Sequence, residues 1–248
     1  MSILPKNISV YGGDIDFIFW LVTVLVGFWF ILTLVAILYF LVRYRKGKNP
    51  KASYVEGHSL KESKWIEIPH LLVLVCDVLI IVYTFAAWNK VEIYDPPEES
   101  GPNYHVGIEG KLWYWAFRYP GPDNELNTAD DIIVDEQNNG KLHVPVNRNI
   151  VIHLSSDKTI HSFFVKELRL KQDAIPGRVI TKWFNATETG EFEIVCAEIC
   201  GVNHWSMRNY LVVQEEAAFN DFIKNLAAKQ NQKNSLAMAE SKKMGENK

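Results

Sequence analysis

The sequence predicts a two-helix membrane hairpin that carries a soluble all-β domain and closes with a helix. Three observations predict it. The first ninety residues hold two long apolar runs, the middle of the chain is a succession of short strand-like segments divided by turn residues, and an amphipathic stretch with a polar tail follows. The formal net charge of −3 over 248 residues leaves no basic footprint of the kind that nucleic-acid binding requires. The three cysteines form neither a CxxC nor a CxxCH motif, which excludes a dithiol redox motif and covalent haem attachment.

The hairpin is assigned to residues 1–94. Phe17 to Val42 is almost unbroken Leu, Val, Ile, Phe and Trp. At about 1.5 Å per residue it exceeds the roughly 30 Å hydrocarbon core, so it spans with some tilt. A second run, Ile66 to Trp88, also spans, although it contains Glu67, His70 and Asp77. Helices are therefore expected at about 15–42 and 65–88. A cleaved signal peptide fits the first run poorly, because the run is too long, follows Asp14 and Asp16, and has no small-residue cleavage site after it. Arg43, Arg45, Lys46, Lys48, Lys51, Lys61 and Lys64 outnumber Glu56 and Glu62 between the runs. That excess assigns the loop to the cytoplasm. Both termini and the β domain then belong on the extracytoplasmic side, the periplasm of a bacterial-type inner membrane.

Residues 95–102, rich in Pro, Gly and acid, read as a linker. Residues 103–215 form the β domain. Its strand-like segments are Tyr104–Ile108, Lys111–Tyr119, Lys141–Val144, Ile150–Leu154, His161–Val165, Val179–Phe184, Gly190–Val195 and Tyr210–Val213. Their spacing predicts an antiparallel sandwich or barrel. Residues 216–248 hold the last helix and tail. Phe219, Phe222, Ile223 and Leu226 recur at helical spacing within Glu215–Lys229, and the polar remainder is expected to be disordered.

"CAEICGVNHWSM", Cys196 to Met207, sets two thiols, an imidazole and a thioether within twelve residues. An oxidising compartment allows the two cysteines simply to pair. Structural zinc would use the cysteines and His204 but has no use for Met207, since a thioether suits copper better. A single electron-transfer copper takes two His, one Cys and a long axial Met. One cysteine is then left over, and two thiolates can bridge two coppers. His161, in "TIHSFFV", is the best candidate for a further imidazole.

"IHSFFVKELRLKQDAIPGR" and "CAEICGVNHWSM", with "WYW" at Trp113 to Trp115 and the hairpin, resemble subunit II of the haem-copper cytochrome c oxidases. The resemblance implies a cupredoxin-like β-barrel holding the dinuclear CuA centre. It places copper ligands at His161, Cys196, Cys200, His204 and Met207, with the backbone carbonyl of Glu198 as the last. The Glu198 carboxylate would reach a Mg²⁺ at the contact with the catalytic subunit. Trp113 matches the tryptophan that passes electrons from a docked cytochrome c. Glu62, Trp65 and Pro69 keep the spacing E-x2-W-x3-P, which implies that Glu62 marks the entrance of a proton path. The implied partners are subunit I, which carries the haems, subunit III, and a soluble or tethered cytochrome c. The implied reaction is reduction of O₂ to water with proton pumping.

Rival readings are a quinol oxidase subunit, which lacks these ligands, a CuA subunit of a nitric oxide reductase, and a membrane-anchored copper-delivery protein. "PGPDNELNTADD", Pro120 to Asp131, offers hard oxygen ligands that would suit Ca²⁺ but lacks the Gly and final Glu of an EF-hand, so it reads as a solvated loop. Lys158, Lys111 and Arg118 stand where the resembled family usually has Asp, His and Glu. These changes predict a donor other than a strongly basic, freely diffusing cytochrome.

Overall fold

The computed structural model describes residues 3–48, 56–93, 96, 102–135 and 140–246. The expected linker at 95–102 falls largely outside the described residues, as does Lys51 of the basic loop. The chain divides into two compact units, one of residues 13–93 and the other of residues 1–12 with 94–248.

The first unit contains helix α1 (Gly12–Arg43) and helix α2 (Leu60–Trp88), the latter followed by a π-helical turn at Asn89–Ile93. At 32 and 29 residues both are long and apolar enough to cross a membrane. Their apolar side chains stay uncovered along both lengths, as at Phe30, Leu41, Ile66 and Ile81. That arrangement fits a lipid surround, because water would penalise so much bare hydrocarbon. Near the ends of the helices, Lys90 Nζ lies 2.6 Å from Asp14 Oδ2, and Phe17 meets Tyr83 edge-on. Glu62 sits in the first turn of α2 and Pro69 inside it. Glu62, Glu67, His70 and Asp77 are exposed, and Cys76 is half-buried.

The second unit is a sandwich of two five-stranded sheets. Sheet one has the order β3 (Ile132–Val134), β2 (Tyr114–Tyr119), β1 (Tyr104–Lys111), β5 (Asn149–Ser156) and β8 (Ile180–Asn185). Sheet two has the order β4 (Leu142–Pro145), β10 (Arg208–Gln214), β9 (Gly190–Cys196), β6 (His161–Val165) and β7 (Leu170–Ala174). The wholly antiparallel arrangement expected from the sequence needs correction. β1 runs parallel to β5, and β4 parallel to β10. A strand run reveals its period, but not which neighbour a long connection delivers to it.

Period-two burial in β1 turns Val106, Ile108 and Gly110 inward and His105, Gly107 and Glu109 outward. The core between the sheets is built on Trp115, Phe117, Phe163 and Phe184, each fully buried. Trp115 of sheet one meets Phe163 of sheet two edge-on at 5.5 Å.

Two further segments complete this unit. Residues 5–12 pack on its surface, where Val10 N–H donates to Asn185 O, and Ile8 exchanges backbone bonds with Glu167 and Thr187. Ile8 and Tyr11 are wholly buried, and the Tyr11 hydroxyl donates to Trp183 O at 3.2 Å. Helix α3 (Glu216–Glu246) seats Phe219 against Tyr104 and stacks Phe222 on His143 at 3.8 Å. The tail expected to be disordered beyond Lys229 is instead helical as far as Glu246. Its Ala, Gln, Lys, Met and Glu residues are strong helix formers, with no proline to stop them.

Candidate metal centre

One end of sheet two gathers the predicted ligands. His161 opens β6, Cys196 closes β9, and Met207 immediately precedes β10. Because β9 runs antiparallel to both neighbours, those three positions fall at the same end. Backbone bonds fix the register there: Cys196 N–H donates to Met207 O at 3.1 Å, and Ala197 N–H to Ser162 O at 3.0 Å. The eleven-residue excursion between β9 and β10 supplies Glu198, Cys200 and His204. It turns at Gly201, whose φ of +122° lies where a side chain would be strained. A 3-10 turn at His204–Ser206 brings His204 back over the thiols.

Cys196 and Cys200 place their Sγ atoms 3.7 Å apart. His161 Nδ1 lies 3.8 Å from Cys196 Sγ, and His204 Nδ1 lies 3.6 Å from Cys200 Sγ. Met207 Sδ stands 3.8 Å from Cys200 Sγ, and the Cys196 thiol donates to Glu198 O at 3.2 Å. All six predicted donors are therefore brought together, with one imidazole on each sulfur. His161, Cys196, Cys200 and Met207 are buried and His204 is half-buried. The sulfurs are two free thiols and not a disulfide. With thiolate–metal bonds of about 2.3 Å, a 3.7 Å separation lets one ion touch both sulfurs at a near-tetrahedral angle.

Burial pushes the Cys200 thiol up to about 12, with the hydrogen bond and charge of Cys196 adding to it. Metal binding at that sulfur must displace a proton. Burial, then the neighbouring His204, holds His161 below its ordinary value, which keeps the ring neutral and able to ligate.

The surroundings hold features that the spacing of the ligands does not announce. The Trp113 indole N–H donates to the backbone carbonyl of Cys200 at 3.1 Å, so this tryptophan touches the ligand loop itself. The His161 ring is held edge-on against Trp115 at 5.9 Å. Gly110 of β1 lies directly beneath it, where a β-carbon would come within 2.8 Å of the ring. Leu112, Ile160, Ile199, Val202 and Trp205, all exposed, come from the same loops and from the residues flanking His161 and Trp113.

Of the three basic residues at odds with the resemblance, two have acidic partners. Lys111 Nζ lies 3.2 Å from Glu109 and Arg118 3.1 Å from Asp131, whose carboxylate is buried. Lys158 is exposed. In the acidic loop, Asp123, Asp130 and Asp131 are taken up by Glu125, Thr128 and Asn127 in internal hydrogen bonds. Among the described residues, the group with converging metal-ligand atoms is His161, Cys196 and Cys200.

Fold and site together define a membrane-anchored cupredoxin-like domain with a buried soft-ligand metal centre. Residues 105–215 match the family model described as cytochrome c oxidase subunit II, periplasmic domain. Over those residues the chain is similar to the cytochrome c oxidase subunit II family.

The chain is 32% identical to the alternative cytochrome c oxidase subunit 2 of Bradyrhizobium diazoefficiens, over 48% of this chain and 49% of that protein. It is 26% identical to cytochrome c oxidase subunit 2 of a Synechocystis species, over 90% of this chain and 75% of the relative. It thus spans about half the length of the first of these relatives and three quarters of the second. A crystal structure of the periplasmic domain of cytochrome oxidase subunit II from Bradyrhizobium japonicum is 30% identical. That match covers 51% of this chain and 94% of the crystallised one, at a TM-score of 0.45.

Proposed function

We propose that this chain is the electron-accepting subunit of a respiratory cytochrome c oxidase and holds a dinuclear copper centre of the CuA type. The observation that carries the reading is the pairing of two free thiols 3.7 Å apart, each with its own imidazole. A copper pair bound there would supply reversible one-electron transfer. The chain's own work is placement. Cys196 and Cys200 would hold the metal through their thiolates, His161 and His204 would each add an imidazole beside one sulfur, and Met207 and the Glu198 carbonyl would be the weaker ligands. Ligands anchored at three strand ends and a hydrogen-bonded loop change little in geometry when charge changes, which favours fast transfer.

In this reading Trp113, bonded to the Cys200 carbonyl, conducts electrons from a docked cytochrome c. The exposed Glu198 carboxylate turns to a Mg²⁺ at the contact with the haem-bearing subunit I, with subunit III as a further partner. Glu62, exposed in the first turn of α2, stands at the entrance of the proton path. Both termini and the β unit lie on the periplasmic side of the inner membrane. The partner subunit reduces O₂ to water and pumps protons.

The test is electron paramagnetic resonance of the copper-loaded chain, with metal analysis. The expected result is two coppers per chain and a hyperfine pattern from one electron shared between two nuclei. One copper with a single-nucleus pattern, or zinc alone, would overturn the reading.

A further inference from the structure

We propose that His105 and His153 form a second metal site, a two-coordinate one for a monovalent d¹⁰ ion, copper(I) in particular, on the outer face of sheet one. His105 lies on β1 and His153 on β5, parallel neighbours whose outward positions share that face. His105 Nδ1 stands 2.9 Å from His153 Nε2. The ring centroids are 5.2 Å apart and the planes 21° from parallel. Nitrogens so close with centroids so distant place the rings end to end and nearly coplanar, not one over the other.

That arrangement aims two imidazole nitrogens at each other along one line, with a single proton between them. Opposed donors on a line are what a two-coordinate d¹⁰ ion takes. A zinc-like ion needs lone pairs converging at an angle and further ligands around it. Among the described residues, no carboxylate, thiol or third imidazole joins this pair at ligand distance. Imidazole is a good ligand for copper, and neutral imidazole is the ligating form.

The protons balance without release. Each neutral ring carries one N–H, and the ring that now donates shifts its proton to its far nitrogen. Both facing lone pairs then bind the ion, and no electron moves. Burial, with His105 adding to it, already holds His153 below its ordinary value, on the neutral side.

Metal–imidazole bonds of about 2 Å require the facing nitrogens to open by roughly 1 Å. Space for that movement is present. A cleft of about 300 Å³ is lined by both rings with Asn124, Glu125 and Asn127, and a neighbouring cleft of about 270 Å³ is lined by His153. Both rings are half-buried, so an ion can reach them and is partly shielded once bound.

The test uses the full chain in detergent, with its main copper centre saturated beforehand and monitored by its visible absorption. Copper(I) is then titrated anaerobically against a colorimetric chelator. The expected result is one further equivalent bound, lost in both His105→Gln and His153→Gln while the main-centre absorption persists. Silver(I) serves as a probe that needs no variant, because its X-ray absorption edge is separate from copper's. Two nitrogen neighbours at one distance are expected. The proposal is overturned by no further equivalent, by an equivalent that survives both substitutions, by sulfur neighbours around silver, or by zinc(II) competing on equal terms.

Discussion

Gly110→Ala tests whether the seat of His161 is set from behind by the opposite sheet. The added methyl carbon would lie 2.8 Å from His161 Cδ2, 3.0 Å from Cγ and 3.1 Å from Cβ. Carbon contacts settle near 3.5 Å, so the ring must retreat by about 0.7 Å. Retreat is resisted, because His161 is itself wholly buried and has no open space to enter. Overpacking of this kind costs about 1–3 kcal/mol. Metal sites tolerate ligand displacements of about 0.2 Å, so a shift several times larger should weaken copper binding. A 10- to 100-fold loss of affinity, about 1.4–2.7 kcal/mol, is expected. Thermal melting of the metal-free and copper-loaded protein, with chelator competition, separates the two effects. The metal-free form should lose only the packing contribution, and the loaded form should lose more. Equal losses in both forms with unchanged chelator competition would refute the reasoning, because His161 would then move without consequence for the metal.

Met207→Leu should retain copper and shift its reduction potential, whereas Cys196→Ser or Cys200→Ser should abolish the dinuclear spectrum, because a thioether caps a site that thiolates build; a normal spectrum in the Cys200→Ser protein would contradict this. Ile8→Ala should lower the unfolding free energy of the β unit by about 2–5 kcal/mol, since Ile8 is wholly buried on it. A melting temperature unchanged from the parent would show that residues 5–12 contribute nothing. Turnover with a basic soluble cytochrome c should depend only weakly on ionic strength, because Lys111 and Arg118 are locally neutralised and the surrounding side chains are apolar. A fast rate that collapses as salt screens it would instead indicate conventional electrostatic steering.

The parts legible in the sequence are those written in local pattern. Two apolar runs, eight of the ten strands among the described residues and the ligand spacing C-x3-C-x3-H-x2-M all sit in contiguous residues. The two strands left unread show why pattern has limits. Ile132–Val134 is three residues long, too short for a period, and Leu170–Ala174 reads "LKQDA", whose polar middle disguises an edge strand. Contacts between distant residues left no local trace. Gly110 beneath His161, Trp113 on the Cys200 carbonyl and the His105–His153 pair each join residues more than forty positions apart. The basic substitutions at Lys111 and Arg118 were visible, but the carboxylates that neutralise them belong to the fold.

The packing of residues 5–12 on the β unit gives the chain an order of events. Tyr11 leaves the ribosome 172 residues ahead of Trp183, the residue whose carbonyl it will bind. Residues 5–12 must therefore wait for β8. They cap β8, an edge strand of sheet one, through the bond from Val10 to Asn185 and the bridge from Ser9 to Ala186. Uncapped edges recruit other chains. A chain in which only one of the two helices crossed would strand residues 5–12 across the bilayer from their partner, leaving that edge open and the socket for Ile8 empty. Completion of both crossings is thus recorded in the β unit, as an edge that stays closed.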